Sequence, residues 1–323
     1  MKTNFLIGMT VVLCACVAGA ESNRIGVLTD GESDFWTSVR DAMQAAAAEQ
    51  QVEVDFRMSD ASTVERQNAL AKEMVDAGIK AFAISPVNPQ EQLETLKEIS
   101  GKIPVVTLMK DASDCGRAAY IARDETKVGR LLGEGVLKNL PPGMKVMVFC
   151  KNQDTPEIKA RIEGMREVFK MIGTVIDSVK ADQGDRMIAR AAMEEVVSTR
   201  PEISALIGME DYHGQAMIGA VKKANRARMV RIIGFGATPE EEEALKTGIV
   251  HALVVDDAAE WGALVLKTLS ALAQGVKEGI PEDGFISAPL KSLQTEVGVT
   301  VKELENEMQV QAPWVSQVTP KTP

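Results

Sequence analysis

The feature that most constrains this chain is a repeated alternation of short apolar runs with helix-patterned segments, sustained from residue 24 to residue 274. Strands are expected over 24–30, 52–58, 81–85, 105–109, 119–122, 145–150, 175–180, 205–209, 230–235 and 250–256. Most of these runs are apolar throughout rather than alternating, as strands covered on both faces should be. Helices are expected between them, over 36–50, 63–77, 89–99, 125–137, 156–172, 185–199, 214–224, 239–246 and 258–274. Gly78 and Gly173 supply stops, and Pro89 and Pro239 sit where a first helical turn tolerates proline. Within 36–50, Trp36, Val39, Ala42, Met43 and Ala46 recur at helical spacing and give one buried stripe. Such a succession specifies α/β architecture with doubly wound parallel sheets and right-handed crossovers.

One sheet of ordinary width cannot take so many strands, and 323 residues exceed a single compact core. Two lobes are therefore expected, joined by a multi-strand hinge. The crossings are placed near Ile121-Ala122-Arg123-Asp124, near Val255-Asp256 and near Ile286. Residues 21–123 with 257–285 form the N-terminal lobe, and 124–256 with 286–323 the C-terminal lobe. Thr295–Thr300 and Val301–Met308 are expected to finish the second lobe.

The amino terminus reads as an export signal. Lys2 precedes the apolar run 5–17, and Ala18-Gly19-Ala20 offers the small residues a signal peptidase requires, so 1–20 is assigned to the signal. Leu13-Cys14-Ala15-Cys16 also resembles a lipobox, in which Cys16 would carry a lipid; the alternative is apolar filler upstream of cleavage after Ala20. Cys115 and Cys150 remain, expected on different lobes as free buried thiols although exported proteins permit disulfides. No later apolar run has the length of a membrane span. The formal charge of −10 sets nucleic acid and anionic lipid surfaces aside as partners.

Enzyme motifs are missing. No Gly-x-Gly-x-x-Gly, phosphate loop or Gly-x-Ser-x-Gly elbow is present, and Gly234-Phe235-Gly236 lacks the third glycine. The two histidines, His213 and His251, have no metal-ligand spacing. The acidic run 240–243 reads as a helix-start cluster. Neither catalysis, metal nor cofactor is expected.

A binding feature stands out instead. Aromatics make up only 4% of the chain, yet Phe35 and Trp36 adjoin each other just after the first strand. In open parallel sheets ligands bind at that carboxyl edge. Rings placed there can stack on the C–H face of a sugar while its hydroxyls hydrogen-bond elsewhere; packing into the helix–sheet interface is the other reading.

From Arg24 to about Ile286 the chain resembles the periplasmic sugar-binding proteins of the ribose-binding type. These share their fold with the ligand domains of the lactose-repressor family. The resemblance is carried by Ser33-Asp34-Phe35-Trp36, Ile84-Ser85-Pro86-Val87, Ile103-Pro104-Val105-Val106-Thr107 and Tyr120-Ile121-Ala122-Arg123-Asp124. Further carriers are Arg161-Ile162-Glu163-Gly164-Met165, Ile233-Gly234-Phe235 with Thr238-Pro239, and Glu260-Trp261-Gly262. It implies two lobes closing on a sugar, with Phe35 and Trp36 as stacking rings and Ser33 in the place of a family asparagine.

Departures from the family pattern bear on the ligand. Met109-Lys110 stands where Asp-Arg is usual, so that half of the clamp is absent or rebuilt from Asp111; lysine lacks arginine's bidentate fork. Lys159 aligns with a family arginine, Glu210 with an asparagine and Asp256 with a hinge glutamine. Tyr212-His213-Gly214 lengthen the loop after Glu210, so Tyr212 or His213 is expected in the site. Gly236 replaces a clamping aspartate. Ribose itself is disfavoured. Lys110 and Lys159 would suit an anionic ligand, Glu210, Asp211 and Asp256 a cationic one, and the sequence leaves both open.

The resulting expectation is a monomeric, periplasmic solute-binding protein that captures a sugar or polyol and delivers it to an ABC-transporter permease. A receptor subunit reporting ligand to a kinase or chemoreceptor is the alternative.

Overall fold

A computed structural model describes residues 23–297; the signal assigned to 1–20 and the expected elements over 298–308 lie outside the described residues. The chain runs β1 (Arg24–Thr29), α1 (Asp34–Gln50), β2 (Glu53–Met58), α2 (Val64–Asp76), β3 (Ala81–Ile84), α3 (Leu93–Ser100), β4 (Val105–Leu108) and β5 (Ala119–Ala122). It continues through α4 (Glu125–Asn139), β6 (Lys145–Cys150), α5 (Pro156–Ile172), β7 (Val175–Ala181), α6 (Arg186–Thr199), β8 (Ile203–Gly208) and α7 (His213–Lys223). It ends with β9 (Arg231–Phe235), α8 (Pro239–Lys246), β10 (Ala252–Asp256), α9 (Ala258–Ala273), β11 (Phe285–Ser287) and β12 (Leu290–Gln294).

These strands form two six-stranded sheets, ordered β2-β1-β3-β4-β5-β11 and β7-β6-β8-β9-β10-β12. All pairings are parallel except β10 with β12. In each sheet the chain winds one way from the inner strand and then the other, so the order reverses beside β1 in the first and beside β6 in the second. Crevices open at such reversals, outside the carboxyl ends of the strands.

Helices cover both faces of each sheet. In the first lobe Val27, Met43, Leu108, Trp261 and Leu269 pack on one side, and Leu28, Leu70, Phe82 and Leu96 on the other. Trp261 and Leu269 belong to α9, so the chain returns to the first lobe after β10. Helix starts follow local chemistry: Ser33, Thr63, Asp124, Thr155, Asp185, Thr238 and Asp257 each accept a backbone N–H through the side chain. Thr238 and Glu241 complete a reciprocal capping box around Pro239.

The chain passes between sheets at 123–124, at Asp257 and at 288–289. Ala288 N donates to Ala122 O at 2.7 Å, and Asp257 N to Pro289 O at 3.2 Å, so the crossings lie side by side. The third differs from expectation. Residues 285–287 pair in register with Tyr120–Ala122, and Ala288 is buried in the first lobe's core, which keeps 286–288 with that lobe. Helix α3 also begins later than Pro89. The Asn88 side chain accepts from the backbone N–H groups of Gln90 and Glu91, folding 89–92 into a turn, while buried Gln92 bonds Gln67.

Candidate functional site

The carboxyl ends of β1, β3, β4, β8 and β9 face one cavity of about 740 Å³ between the lobes. Ser33 starts the helix that delivers its rings. Its Oγ accepts from Trp36 N at 3.1 Å, so Ser33 acts as the N-cap of α1 and does not line the cavity. Phe35 and Trp36 both line it. Their centroids are 4.9 Å apart, and both meet Trp261 edge-on, at 5.6 and 6.3 Å. Trp36 is only 5% exposed, so it serves core and cavity together.

Trp36 Nε1 donates to Asp30 Oδ1 at 3.2 Å, and Lys110 Nζ reaches Asp30 Oδ2 at 3.2 Å. Asp30 therefore lines the cavity held from two sides. Lys110, expected in the site, touches it through this carboxylate; its ammonium also donates to Val87 O. Met109 makes the turn with a left-handed φ of 62°, and Tyr120 Oη donates to its carbonyl at 3.0 Å. Asp111 faces the other way. Arg117 binds both of its oxygens and Thr107 Oγ1 donates at 3.1 Å, so Asp111 does not rebuild a cavity clamp.

On the second lobe the register differs again. Lys159 is exposed on α5 and does not line the cavity. Arg161, two residues on, is buried instead: Nη1 donates to Met209 O and Nε to Glu125 Oε2, each at 2.6 Å. Its guanidinium lies 4.4 Å from the ring centre of Phe235, and that of Arg123 lies 5.2 Å from it. Phe235 lines the cavity under these two cations.

Glu210 turns away, Oε1 accepting from Lys151 N at 3.1 Å, and the next residue, Asp211, lines the cavity. Gly236 adopts φ 87°, and a Cβ there would stand 3.0 Å from Asp211 Cβ. Asp211 thus brings a carboxylate to the place where Gly236 lacks a side chain. Tyr212 and His213 are both withdrawn. Tyr212 Oη donates to Asp182 Oδ1 at 2.6 Å, and the fully buried His213 meets Asp182 Oδ2 through Nε2 at 2.7 Å. His213 Nδ1 accepts from Glu210 N, so Nε2 carries the proton. Burial lowers the imidazole pKa despite the neighbouring carboxylate. The loop's extra length thus closes a Tyr–Asp–His cluster, buried at Asp182 and His213 and half-buried at Tyr212, rather than reaching ligand.

Asp256 does line the cavity, in a forked pair with Arg123: Nη2–Oδ2 is 2.6 Å and Nε–Oδ1 2.8 Å. Ser85, at the end of β3, lines the same space fully buried, and its Oγ has no hydrogen-bond partner among the described residues. Of the expected residues, the structure brings together Phe35, Trp36 and Asp256, with Lys110 behind Asp30. Asp30, Ser85, Arg123 and Phe235 are the ones sequence reasoning did not single out as binding residues, while Asp211, named there only as suited to a cationic ligand, takes the place expected of Glu210. A polar or aromatic residue immediately after a strand was the available signal for most of them.

Among the described residues there is no cluster of three or more His, Cys, Asp or Glu able to hold a metal, and no helix is long and apolar enough to cross a membrane.

Two α/β lobes, crossed three times by the backbone and sharing a cavity at their strand ends, define a bilobal small-molecule-binding fold. The chain belongs to the family of the periplasmic binding protein domain, whose family model matches residues 25–277. It is a binding protein and not an enzyme. The ribose import binding protein RbsB of Salmonella typhimurium is 25% identical over 259 residues, 78% of this chain and 84% of its own length. The arabinose-binding protein AraP from Geobacillus stearothermophilus shares the fold with a TM-score of 0.71 at 19% identity, covering 88% of this chain and 98% of that one. A mutant XylFII–LytSN complex contains a chain matching at TM-score 0.72 and 20% identity, over 85% of this chain and 98% of that one.

Proposed function

We propose that the protein is exported to the periplasm, captures a sugar or sugar-like polyol between its lobes, and presents the closed form to the permease of an ABC importer. The observation that carries this is the cavity: rings from both lobes, Phe35 and Trp36 from one and Phe235 from the other, line it beside hydrogen-bonding groups at the crossings. Apolar faces of a sugar ring fit the aromatics, and Ser85, Asp30, Arg123 and Asp256 suit hydroxyls. Relatives named as ribose import binding proteins support the same direction. Closure shifts a pre-existing open–closed equilibrium, and only the closed form offers both lobe surfaces in register.

A thermal-shift panel of pentoses, hexoses, amino sugars and sugar acids, followed by calorimetry, tests this. A saturable rise in melting temperature with at least one sugar is expected; no response to any of them would overturn the reading. Fractionation locates the protein, and the mass of its mature amino terminus separates cleavage after Ala20 from lipidation at Cys16. The second reading is a receptor subunit, favoured by the fold likeness to XylFII, solved with LytSN. Co-purification with a permease or with a sensor protein decides between the two.

A further inference from the structure

We infer that the ligand carries a positive charge, an amine-bearing polyol, and that Asp34, Asp211 and Glu242 recognise its ammonium group. The inference rests on the polyol reading above and names the ligand class of the same cavity. Five acidic residues line the cavity, Asp30, Asp34, Asp211, Glu242 and Asp256, against one basic residue, Arg123. Two of these carboxylates are already matched. Asp256 holds Arg123, and Asp30 holds Lys110 and the Trp36 indole. The side chains of Asp34, Asp211 and Glu242 have no hydrogen-bond or ion-pair partner at contact distance among the described residues, and Asp211 acts on Arg123 only through space. Lys159, the other base the sequence offers, is exposed away from the cavity.

The three unmatched carboxylates come from both lobes. Asp34 opens α1 in the first, while Asp211 follows β8 and Glu242 lies in the first turn of α8 in the second. Closing the lobes without a counter-charge would crowd like charges as water leaves and screening falls. A cation between them turns that opposition into attraction, so the charge test is made by the closure step itself. An independent feature marks the place as a ligand seat: Ser85 Oγ, fully buried on the same cavity, lacks a partner that a ligand hydroxyl would supply.

Calorimetry on the purified protein with matched probes tests the inference: D-glucosamine and D-galactosamine, their neutral parents, the corresponding uronic acids, and putrescine as an amine without hydroxyls. At least one amino sugar is expected to bind tenfold or more tighter than its neutral parent, and the uronic acids not at all. The preference should shrink as salt rises from about 20 mM to about 300 mM. Asp211→Asn with Glu242→Gln, both exposed and isosteric, should collapse the amino-to-neutral ratio to within threefold at an unchanged ligand-free melting temperature. A neutral sugar or uronic acid bound as tightly as its amino form overturns the inference and leaves the polyol reading standing. Putrescine bound while every sugar fails supports the charge assignment and overturns the polyol reading; no binding by any probe overturns both.

Discussion

Arg123 and Asp256, 133 residues apart in sequence, grip each other through a fork at two of the three points where the chain changes lobe. The pair is partly buried, with side-chain exposures of 26% and 11%. It therefore sits between an exposed pair, worth little, and a buried one whose broken half is costly. Arg123→Ala should cost about 1–3 kcal/mol of stability by urea unfolding. Asp256→Asn should cost less, and the double variant should recover part of the sum. A coupling energy near zero in that cycle would show the fork to be screened by solvent.

Phe35 and Trp36 adjoin in sequence but divide their roles. Trp36→Ala removes a ring that is 5% exposed and should cost about 3–5 kcal/mol of stability. Phe35→Ala, at a half-buried ring, should leave a folded protein whose affinity for its best sugar falls by about 1–3 kcal/mol. Affinity equal to that of the parent by calorimetry would assign Phe35 to packing alone.

Helices α4 and α5 touch backbone to backbone. A Cβ on Gly129 would stand 2.0 Å from Arg161 O, and one on Gly164 would stand 2.1 Å from Thr126 O. Either Gly→Ala change must push the helices apart and should cost about 1–3 kcal/mol. It should also disturb the bonds from Arg161 to Glu125 and to Met209, which hold the guanidinium over Phe235. Thermal unfolding of each variant checks the first effect, and sugar affinity the second.

His251 sets an acid limit. Its ring nitrogens face two donors, Arg231 Nη1 at 3.0 Å and Ile232 N at 3.2 Å. Burial and the Arg231 charge push its pKa down to about 3 from an unfolded value of 6.5. The neutral ring is thus favoured in the fold and the charged ring in the unfolded chain. Its contribution is complete above pH 6.5 and declines as pH falls towards 3, by up to about 1.4 kcal/mol per pH unit. His251→Gln should flatten that part of the stability profile relative to the parent; parallel profiles between pH 6 and pH 4 would reject the assignment.

Cys115 and Cys150 are free and buried, one in each lobe, and burial pushes the Cys150 thiol up to about 12. Neither should react with Ellman's reagent at pH 8 in the native state, and both should react in denaturant. Rapid native labelling would mean that the cores open far more often than their packing indicates.

Much of the architecture was legible because strands covered on both faces leave unbroken apolar runs: β6, α5 and α8 match their expected spans to the residue. The short strand β11 left no such run, since three residues paired with Tyr120–Ala122 suffice to keep it in the first sheet. The cavity was less readable. Strand register pointed to Glu210, but the turn after β8 presents Asp211, and helical phase replaced Lys159 with the buried Arg161. His213 looked like a polar loop residue, yet it starts α7 inside the core, bound to Asp182. Pairings such as Arg123 with Asp256 depend on how separate strands come together, which no local periodicity records.

Trp36 stands against Trp261 on one side and lends its indole N–H to Asp30 on the other. The amino-terminal wall of the cavity is therefore the outer skin of the material that keeps that lobe folded. Divergence towards a new solute has little room there, because each recut of the floor would be felt through the whole half. The freer ground is the opposite wall, where Asp211 and Glu242 stand on a loop and a helix rim. Selection or engineering aimed at a different cargo should collect its changes on that side.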